Sequence, residues 1–186
     1  MRFFTQIAAF AAATATLVSA NTITLINQDG TTRNAVFTTN LNSVLLKTVT
    51  VAGNSQQVVD IPEGWAGNLY AVAQGEPEVP GMLAEITFQG WNDFTYFDVS
   101  AIVKPGDTTN VKQVYPKTQL ESTKTLVSGC ALFPCATAYY HPEDIQTVVT
   151  SETDLIVTLG TSDNVASREV NPNLVARHYA LGKLSP

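Results

Sequence analysis

The amino-acid sequence predicts an all-β fold. Only 14% of its residues are charged, against about 25% in an average soluble domain, whereas threonine and valine, which favour strands, are frequent. Short segments alternate apolar with polar residues, as half-buried strands do. Turn-forming residues separate these segments at regular intervals. Together, these observations indicate a sandwich or barrel-like arrangement of short strands with few helices.

The first predicted strand covers residues 22–27, where threonine alternates with Ile23 and Leu25. The turn Gln28-Asp29-Gly30 ends it. Further strands are predicted at residues 35–39, 44–51, 56–61, 68–73, 82–89, 94–101, 111–115 and 155–159.

Three segments between these strands have a different composition. Residues 75–81 and 117–128 are rich in polar or turn-forming residues and are predicted to be loops. Residues 142–149 are predicted to form a short helix, because Pro142 and the acids that follow it suit a helix N-terminus.

The two ends of the chain differ from its middle. Arg2, the apolar run at residues 7–18 and the small residues Ser19 and Ala20 have the pattern of a secretory signal peptide. We therefore expect residues 1–20 to be a signal peptide and residues 21–160 to be a β domain. Residues 161–186 are polar and are expected to form a loosely packed C-terminal appendage. The predicted location is secreted and extracellular, with no membrane partner.

The overall charge limits the classes of partner. Acidic residues outnumber lysine and arginine by 16 to 10. An acidic surface repels phosphate backbones and disfavours nucleic acid as a partner. It is compatible with a neutral polysaccharide, a cation or a basic protein.

Cysteine usage is consistent with an oxidising compartment. Cys130 and Cys135 are the only cysteines, and we expect them to form one disulfide around a short loop. A structural zinc site needs about four ligands, and the only histidines are His141 and His178. No metal and no cofactor are predicted.

Residues 82–101 are predicted to form a hairpin that closes over residues 90–93. If Gln89 pairs with Phe94, Glu85 lies directly opposite Asp98. The core-facing side then carries Ala84, Ile86, Phe88, Thr95, Phe97 and Val99. The other side carries Glu85, Thr87, Tyr96, Asp98 and Ser100.

The opposed acids, Glu85 and Asp98, are the main candidate site. Like charges across a strand pair repel each other, and a purely structural sheet usually avoids them. Such a pair indicates a shared proton, a cation or a ligand that gains from the negative field. The alternative is two solvated acids on a wet face, or a register in which they do not meet.

Weaker candidates lie outside this pair. Trp65 and Trp91 stand beside glycines in turn-like segments, and exposed aromatic side chains there would stack on sugars or anchor a protein. The alternative for both is the core. His141 precedes Pro142 and two acids, which suggests acid–base or metal chemistry, but a helix start explains the same residues.

Two motifs carry a family resemblance. The segment GMLAEITF at residues 81–88, followed by YFDVS at residues 96–100, resembles the thaumatin-like proteins, with the same step from Glu to Asp. The chain is also similar to small fungal secreted proteins that share this segment, a Cys-X4-Cys before a Tyr-Tyr pair, and a late strand. Here these are Cys130, Cys135, Tyr139-Tyr140 and ETDLI at residues 152–156. Members of that group are labelled deoxyribonuclease, elicitor or antigenic thaumatin-like protein.

The resemblance implies a thaumatin-like β-sandwich with an acidic cleft that binds, and sometimes weakly cleaves, β-1,3-glucan. Glu85 and Asp98 would line this cleft. The family's second cleft aspartate is replaced by Val103, and its dense disulfide framework is reduced to one possible bond. The predicted ligand-binding residues are therefore Glu85, Thr87, Trp91, Tyr96 and Asp98.

The function that these observations favour is a secreted, non-enzymatic binding protein, acting at the cell wall or as an elicitor or effector towards a host. Its expected partner is a β-glucan or an extracellular host protein. One alternative is a weak β-1,3-glucan hydrolase that uses Glu85 as acid and Asp98 as base or nucleophile. A second is a secreted nuclease, which normally needs a histidine base or a carboxylate–metal cluster.

Overall fold

The computed structural model describes residues 21–107, 109–119 and 126–161. It confirms the all-β prediction: the described residues contain eleven strands in two sheets and only two single-turn 3-10 helices. The strands are β1 (Asn21–Asn27), β2 (Arg33–Thr39), β3 (Val49–Val51), β4 (Gln56–Ile61), β5 (Ala66–Ala73), β6 (Leu83–Thr87), β7 (Thr95–Ser100), β8 (Val111–Pro116), β9 (Ser128–Gly129), β10 (Val148–Thr150) and β11 (Asp154–Leu159). The 3-10 helices are Trp91–Asp93 and Lys117–Gln119.

The strands form a five-stranded and a six-stranded sheet. The five-stranded sheet has the order β4-β1-β11-β8-β9, and its β1–β11 pair is parallel. The six-stranded sheet has the order β10-β7-β6-β5-β2-β3, and its neighbouring strands are all antiparallel. The strands β5, β6 and β7 therefore lie at the centre of the six-stranded sheet.

The hydrophobic core lies between the two sheets. The five-stranded sheet contributes Ile23, Leu25 and Leu155, and the six-stranded sheet contributes Ile86 and Phe97, all of them buried. Because side chains alternate faces along a strand, burial of one set leaves the intervening residues on the outer face. Full burial of each large apolar side chain stabilises the fold by about 1.5–3 kcal/mol.

Trp65 belongs to this core and not to a binding surface. It is 1% exposed, and its ring packs edge-to-face against Phe37 with 6.1 Å between the ring centroids. The indole nitrogen donates a hydrogen bond of 3.1 Å to the backbone carbonyl of Val44. Its position beside Gly64 predicted a turn, and the turn places the ring inward.

The hairpin β6–β7 has the predicted register. Glu85 pairs with Asp98, and Thr87 pairs with Tyr96. The connection between the strands bends sharply, with positive φ angles at Gln89, Asn92 and Asp93. The alternation of apolar and polar residues was sufficient to fix this register because a shift by one residue would expose the core face.

The helix predicted at residues 142–149 is wrong. The Asp144 carboxylate accepts hydrogen bonds from the backbone N–H groups of Tyr140 and His141, at 2.8 and 2.9 Å, and closes a turn. The residues that follow form β10, which pairs with β7. The capping signal was therefore present, but a strand follows the turn because the edge of β7 offers a partner.

The strand predicted at residues 44–51 is shorter than expected, since only Val49–Val51 forms β3. The backbone carbonyl of Val44 accepts hydrogen bonds from the Trp65 indole and, at 3.3 Å, from the Thr39 hydroxyl. These contacts occupy the Val44 carbonyl, which therefore does not join a strand ladder, and residues 44–48 have no regular secondary structure.

Cys130 and Cys135 form the predicted disulfide. Among the residues that the structure describes, no helix is long and apolar enough to span a membrane. The predicted signal peptide at residues 1–20 and nearly all of the predicted appendage at residues 161–186 lie outside the described residues.

Candidate functional site

A polar depression lies on the outer face of the six-stranded sheet, above its central strands. Its volume is about 270 Å³. We call it the acidic depression. Its lining residues are Asn40, Gly67, Asn68, Glu85, Ile86, Thr87, Tyr96, Asp98 and Thr147.

A row of polar side chains crosses the strands beneath this depression. Asn68 of β5 pairs with Glu85 of β6, which pairs with Asp98 of β7. Neighbouring strands lie about 4.8 Å apart, and the side chains of directly paired residues lie on the same face. The Thr147 hydroxyl, just before β10, extends the row and donates to Oδ2 of Asp98 at 3.5 Å.

Asp98 has an unusual electrostatic environment. Its partial burial, the charge of Glu85 and a carboxyl–carboxyl hydrogen bond with Glu85 raise its pKa to about 7, against the small lowering effect of the Thr147 hydrogen bond. Its Oδ1 atom is shielded from solvent and accepts no hydrogen bond from a donor group within the described residues. Below neutral pH, the pair therefore shares one proton, which turns repulsion into a hydrogen bond.

The Thr147 hydroxyl is itself held in place. It lies 2.7 Å from the hydroxyl of Tyr139, and that hydroxyl also accepts a 3.2 Å hydrogen bond from the backbone N–H of Thr147. Tyr139 is anchored beside β7, because its N–H donates to the Val99 carbonyl at 2.9 Å and its own carbonyl accepts from Ala101 at 2.7 Å. One wall of the depression is thus fixed to β7.

Tyr96 connects the depression to the hairpin turn. Its hydroxyl donates a 3.0 Å hydrogen bond to the backbone carbonyl of Trp91. The Trp91 side chain is 77% exposed and does not line the depression. The turn thus holds an exposed indole near the depression but outside it.

Within residues 21–107, 109–119 and 126–161, Glu85 and Asp98 have no compensating base beside them. None of the described residues that line the depression is a lysine, arginine or histidine. The remaining lining groups are amides, hydroxyls and backbone, which cannot neutralise a carboxylate. A ligand that donates hydrogen bonds or carries positive charge would relieve the repulsion between the two acids.

The carboxyl geometry does not fit glycoside hydrolysis. Retaining enzymes hold their two carboxyl groups about 5–5.5 Å apart and inverting enzymes about 6.5–9.5 Å apart. Here Glu85 and Asp98 are directly paired across β6 and β7, and a hydrogen bond between their carboxyl groups contributes to the raised pKa of Asp98. Such a contact is closer than the separation that either class of hydrolase uses. The arrangement favours binding.

Four of the predicted site residues line the depression together: Glu85, Thr87, Tyr96 and Asp98. Sequence reasoning missed the polar residues on its other sides. Asn68 was detectable, because it lies at an outward position of a predicted strand. Asn40 and Thr147 were not, since a loop and a mispredicted helix hold them.

Comparison with known proteins shows to which family the chain belongs. The chain is 49% identical over 138 residues to the antigenic protein SchS21 of Stachybotrys chartarum, and the match covers 74% of this chain and 93% of that protein. The chain belongs to the family of this antigenic protein. No family model matches the chain.

A solved structure shares the fold. The crystal structure of the protein elicitor MoHrip2 from Magnaporthe oryzae superposes with a TM-score of 0.59. The match covers 76% of this chain and 100% of that chain, at 13% sequence identity. At that identity, the likeness is one of fold alone and supports the two-sheet architecture.

Proposed function

We propose that this protein is a secreted, elicitor-type fungal protein that recognises an extracellular partner through the acidic depression. Its relative is named as an antigen and its structural neighbour as an elicitor. The Cys130–Cys135 disulfide fits an oxidising, extracellular environment.

One observation carries the assignment to the depression. Glu85 and Asp98 are paired directly across β6 and β7, and no base from the described part of the chain lines the depression beside them. Opposed like charges destabilise a sheet. A chain selected only for folding has no use for this arrangement, whereas a binding protein gains from a preorganised negative field.

The partner class in this proposal is a β-glucan or an extracellular host protein. The glucan option rests on the likeness of residues 81–88 and 96–100 to the acidic cleft of thaumatin-like proteins. The host-protein option rests on the elicitor named among its structural neighbours. In both cases, the protein binds and does not catalyse.

The experiment compares the purified wild-type protein with the double variant Glu85→Gln/Asp98→Asn. Pull-downs use insoluble β-glucan and host apoplastic proteins, and a reactive-oxygen burst in leaf tissue reports elicitation. We expect the double variant to lose partner capture and at least nine-tenths of the burst.

The control is Glu63→Gln, which removes one exposed acid in the β4–β5 connection, outside the depression. It is expected to behave as wild type. Thermal unfolding of all variants shows whether they fold. An unchanged burst from a folded double variant would contradict the proposal.

A further inference from the structure

We propose that the acidic depression and the exposed apolar side chains beside it form a docking surface for a protein segment that inserts one lysine or arginine side chain. This inference rests on the proposed function and specifies its partner. Between the two partner classes named above, it selects the protein.

Large apolar side chains stand exposed next to the lining residues. Leu41 follows the lining residue Asn40 and is 95% exposed. Ile145, two residues before Thr147, is 91% exposed. Val149 pairs with Tyr96 across β10 and β7 and is 43% exposed.

Trp91 adds an aromatic side chain to this apolar set. Its backbone carbonyl accepts a hydrogen bond from the hydroxyl of Tyr96, which lines the depression, so the turn that carries Trp91 is held to a lining residue. Tryptophan is the residue type most enriched in the energetic centres of protein interfaces. Several exposed large apolar residues in the segments that supply the lining residues are what an interaction surface offers, because exposed apolar residues are otherwise scattered singly.

Leu41 and Trp91 are carried by structured loops, and Val149 by strand β10. The N–H of Asn40 donates to the Ala66 carbonyl at 2.9 Å, which anchors the chain immediately before Leu41. The turn that bears Trp91 is closed by a hydrogen bond of 2.8 Å from the N–H of Gly90 to the Phe94 carbonyl. Preorganised apolar groups of this kind lose little conformational freedom when a partner binds.

Charge complementarity indicates that the side chain which the partner inserts is a basic one. Among the residues that the structure describes, Glu85 and Asp98 are the only charged ones that line the depression. An ammonium or guanidinium group neutralises them and offers a donor to Asp98. A neutral sugar hydroxyl offers the donor but leaves the repulsion between the carboxylates in place.

The size of the depression agrees with a single side chain. Sites for small molecules usually have volumes of about 300–1,000 Å³, and the acidic depression has about 270 Å³. One extended basic side chain enters it from above, while the flanking residues of its segment cover Leu41, Trp91 and Val149.

Binding of a cation should depend on pH through Asp98. The titratable groups that face this carboxyl group are Glu85 on β6, Tyr96 on its own strand, and Tyr139 through Thr147. The facing positions on β5 and before β10 are the uncharged Asn68 and Thr147. The inserted cation competes with the shared proton, and its affinity rises as the pH rises from 5.5 to 8.

The test uses blocked pentapeptides with a central arginine between leucine residues, and the same peptides with the neutral isostere citrulline. NMR chemical-shift titration of the full-length protein measures affinity and maps the bound residues. We expect the arginine peptide to bind at least tenfold more tightly than the citrulline peptide at pH 8, and at least fivefold more weakly at pH 5.5 than at pH 8.

Asp98→Asn and Glu85→Gln should each lower the affinity for the arginine peptide at least tenfold. Glu63→Gln should lower it less than twofold. Equal binding of arginine and citrulline peptides, or binding of neither, would overturn the inference. If laminari-oligosaccharides then bind at the depression and the double variant loses this binding, the proposed function stands with a different partner. An unchanged elicitor response from the double variant would overturn both.

Discussion

Two aspartates on this fold have opposite environments. The Asp29 carboxylate receives both terminal nitrogens of Arg33, at 2.6 and 2.9 Å, and the N–H groups of Thr31 and Thr161, at 2.9 and 2.8 Å. These partners hold its pKa well below the usual range. Among the described residues, Asp98 faces another carboxylate and no base, and its pKa is raised to about 7.

The difference separates a structural carboxylate from a recognition carboxylate. The Asp29–Arg33 pair also joins distant parts of the chain, since Arg33 donates to Asn27 at 2.8 Å and to the Thr109 carbonyl at 2.9 Å. Every oxygen of Asp29 has a donor, so no capacity is left for a ligand. At Asp98, Oδ2 accepts a long hydrogen bond from Thr147 at 3.5 Å, and Oδ1 receives no donor group within the described residues.

The largest expected effect on stability is at the Asp29–Arg33 ion pair. Arg33 is 3% exposed, and Arg33→Met would leave the Asp29 carboxylate without its counter-ion and would remove the donors to Asn27 and Thr109. We expect a loss of roughly 3–5 kcal/mol in the free energy of unfolding, measured by urea denaturation. Lys47→Met, at an exposed lysine, is the control and should change stability by less than about 0.5 kcal/mol. A loss below about 1 kcal/mol for Arg33→Met would show that the pair is not structural.

The second effect is a pH dependence of stability that arises from the opposed carboxyl groups of Glu85 and Asp98. Between about pH 4 and 7, the unfolded chain has released the Asp98 proton, whereas the folded protein still holds it. The folded state then binds more protons, so its stability falls as the pH rises through this window. Asp98→Asn should remove this fall and be more stable than the wild type at pH 8, by on the order of 2 kcal/mol.

The comparison for this variant is made at pH 4.5, where an asparagine amide replaces the protonated carboxyl as a donor to Glu85. We expect the two proteins to be within about 1 kcal/mol of each other there. Urea denaturation at both pH values gives the numbers. A variant that is less stable than the wild type at pH 8 would contradict the claim that the ionised Asp98 carboxylate destabilises the fold.

A smaller effect is expected at the wall of the depression. Thr147→Val removes the hydroxyl that bonds Asp98 and Tyr139. The expected loss of stability is about 0.5–1.5 kcal/mol. Because this hydrogen bond lowers the pKa of Asp98, the pKa should also rise. Thr48→Val, at an exposed threonine, should change neither quantity.

The smallest effect on stability is expected at Trp91, which is 77% exposed. Trp91→Ala should change the free energy of unfolding by less than about 0.5 kcal/mol. It should lower the affinity for the arginine peptide about threefold to tenfold. Leu132→Ala removes another exposed apolar side chain, from the disulfide loop, and should leave peptide affinity unchanged. Equal effects of the two substitutions on the peptide would exclude Trp91 from the docking surface.

The contrast between the two aspartates was only partly predictable from the sequence. Period-two alternation was sufficient to oppose Glu85 and Asp98, because only one register buries Ile86 and Phe97. The Asp29–Arg33 pair follows a turn that was predicted, yet its contacts to Thr109 and Thr161 depend on long-range packing that a local pattern does not encode.

The errors have a common physical origin. The helix predicted at residues 142–149 and the full length of the strand predicted at residues 44–51 were both inferred from neighbours along the chain. In the fold, the edge of β7 recruits Val148–Thr150 as a strand, and the Val44 carbonyl accepts a hydrogen bond from the Trp65 indole instead of from a neighbouring strand. Tertiary contacts therefore decide where local signals are ambiguous.

The most direct test is an NMR pH titration of the Asp98 side-chain carboxyl carbon in the wild-type protein, repeated in Glu85→Gln. We predict a pKa of about 7 in the wild type and a clearly lower pKa once the Glu85 charge is removed. An Asp98 carboxyl group that titrates near pH 4 in both proteins would contradict the central claim, because the two carboxylates would then neither repel each other nor share a proton.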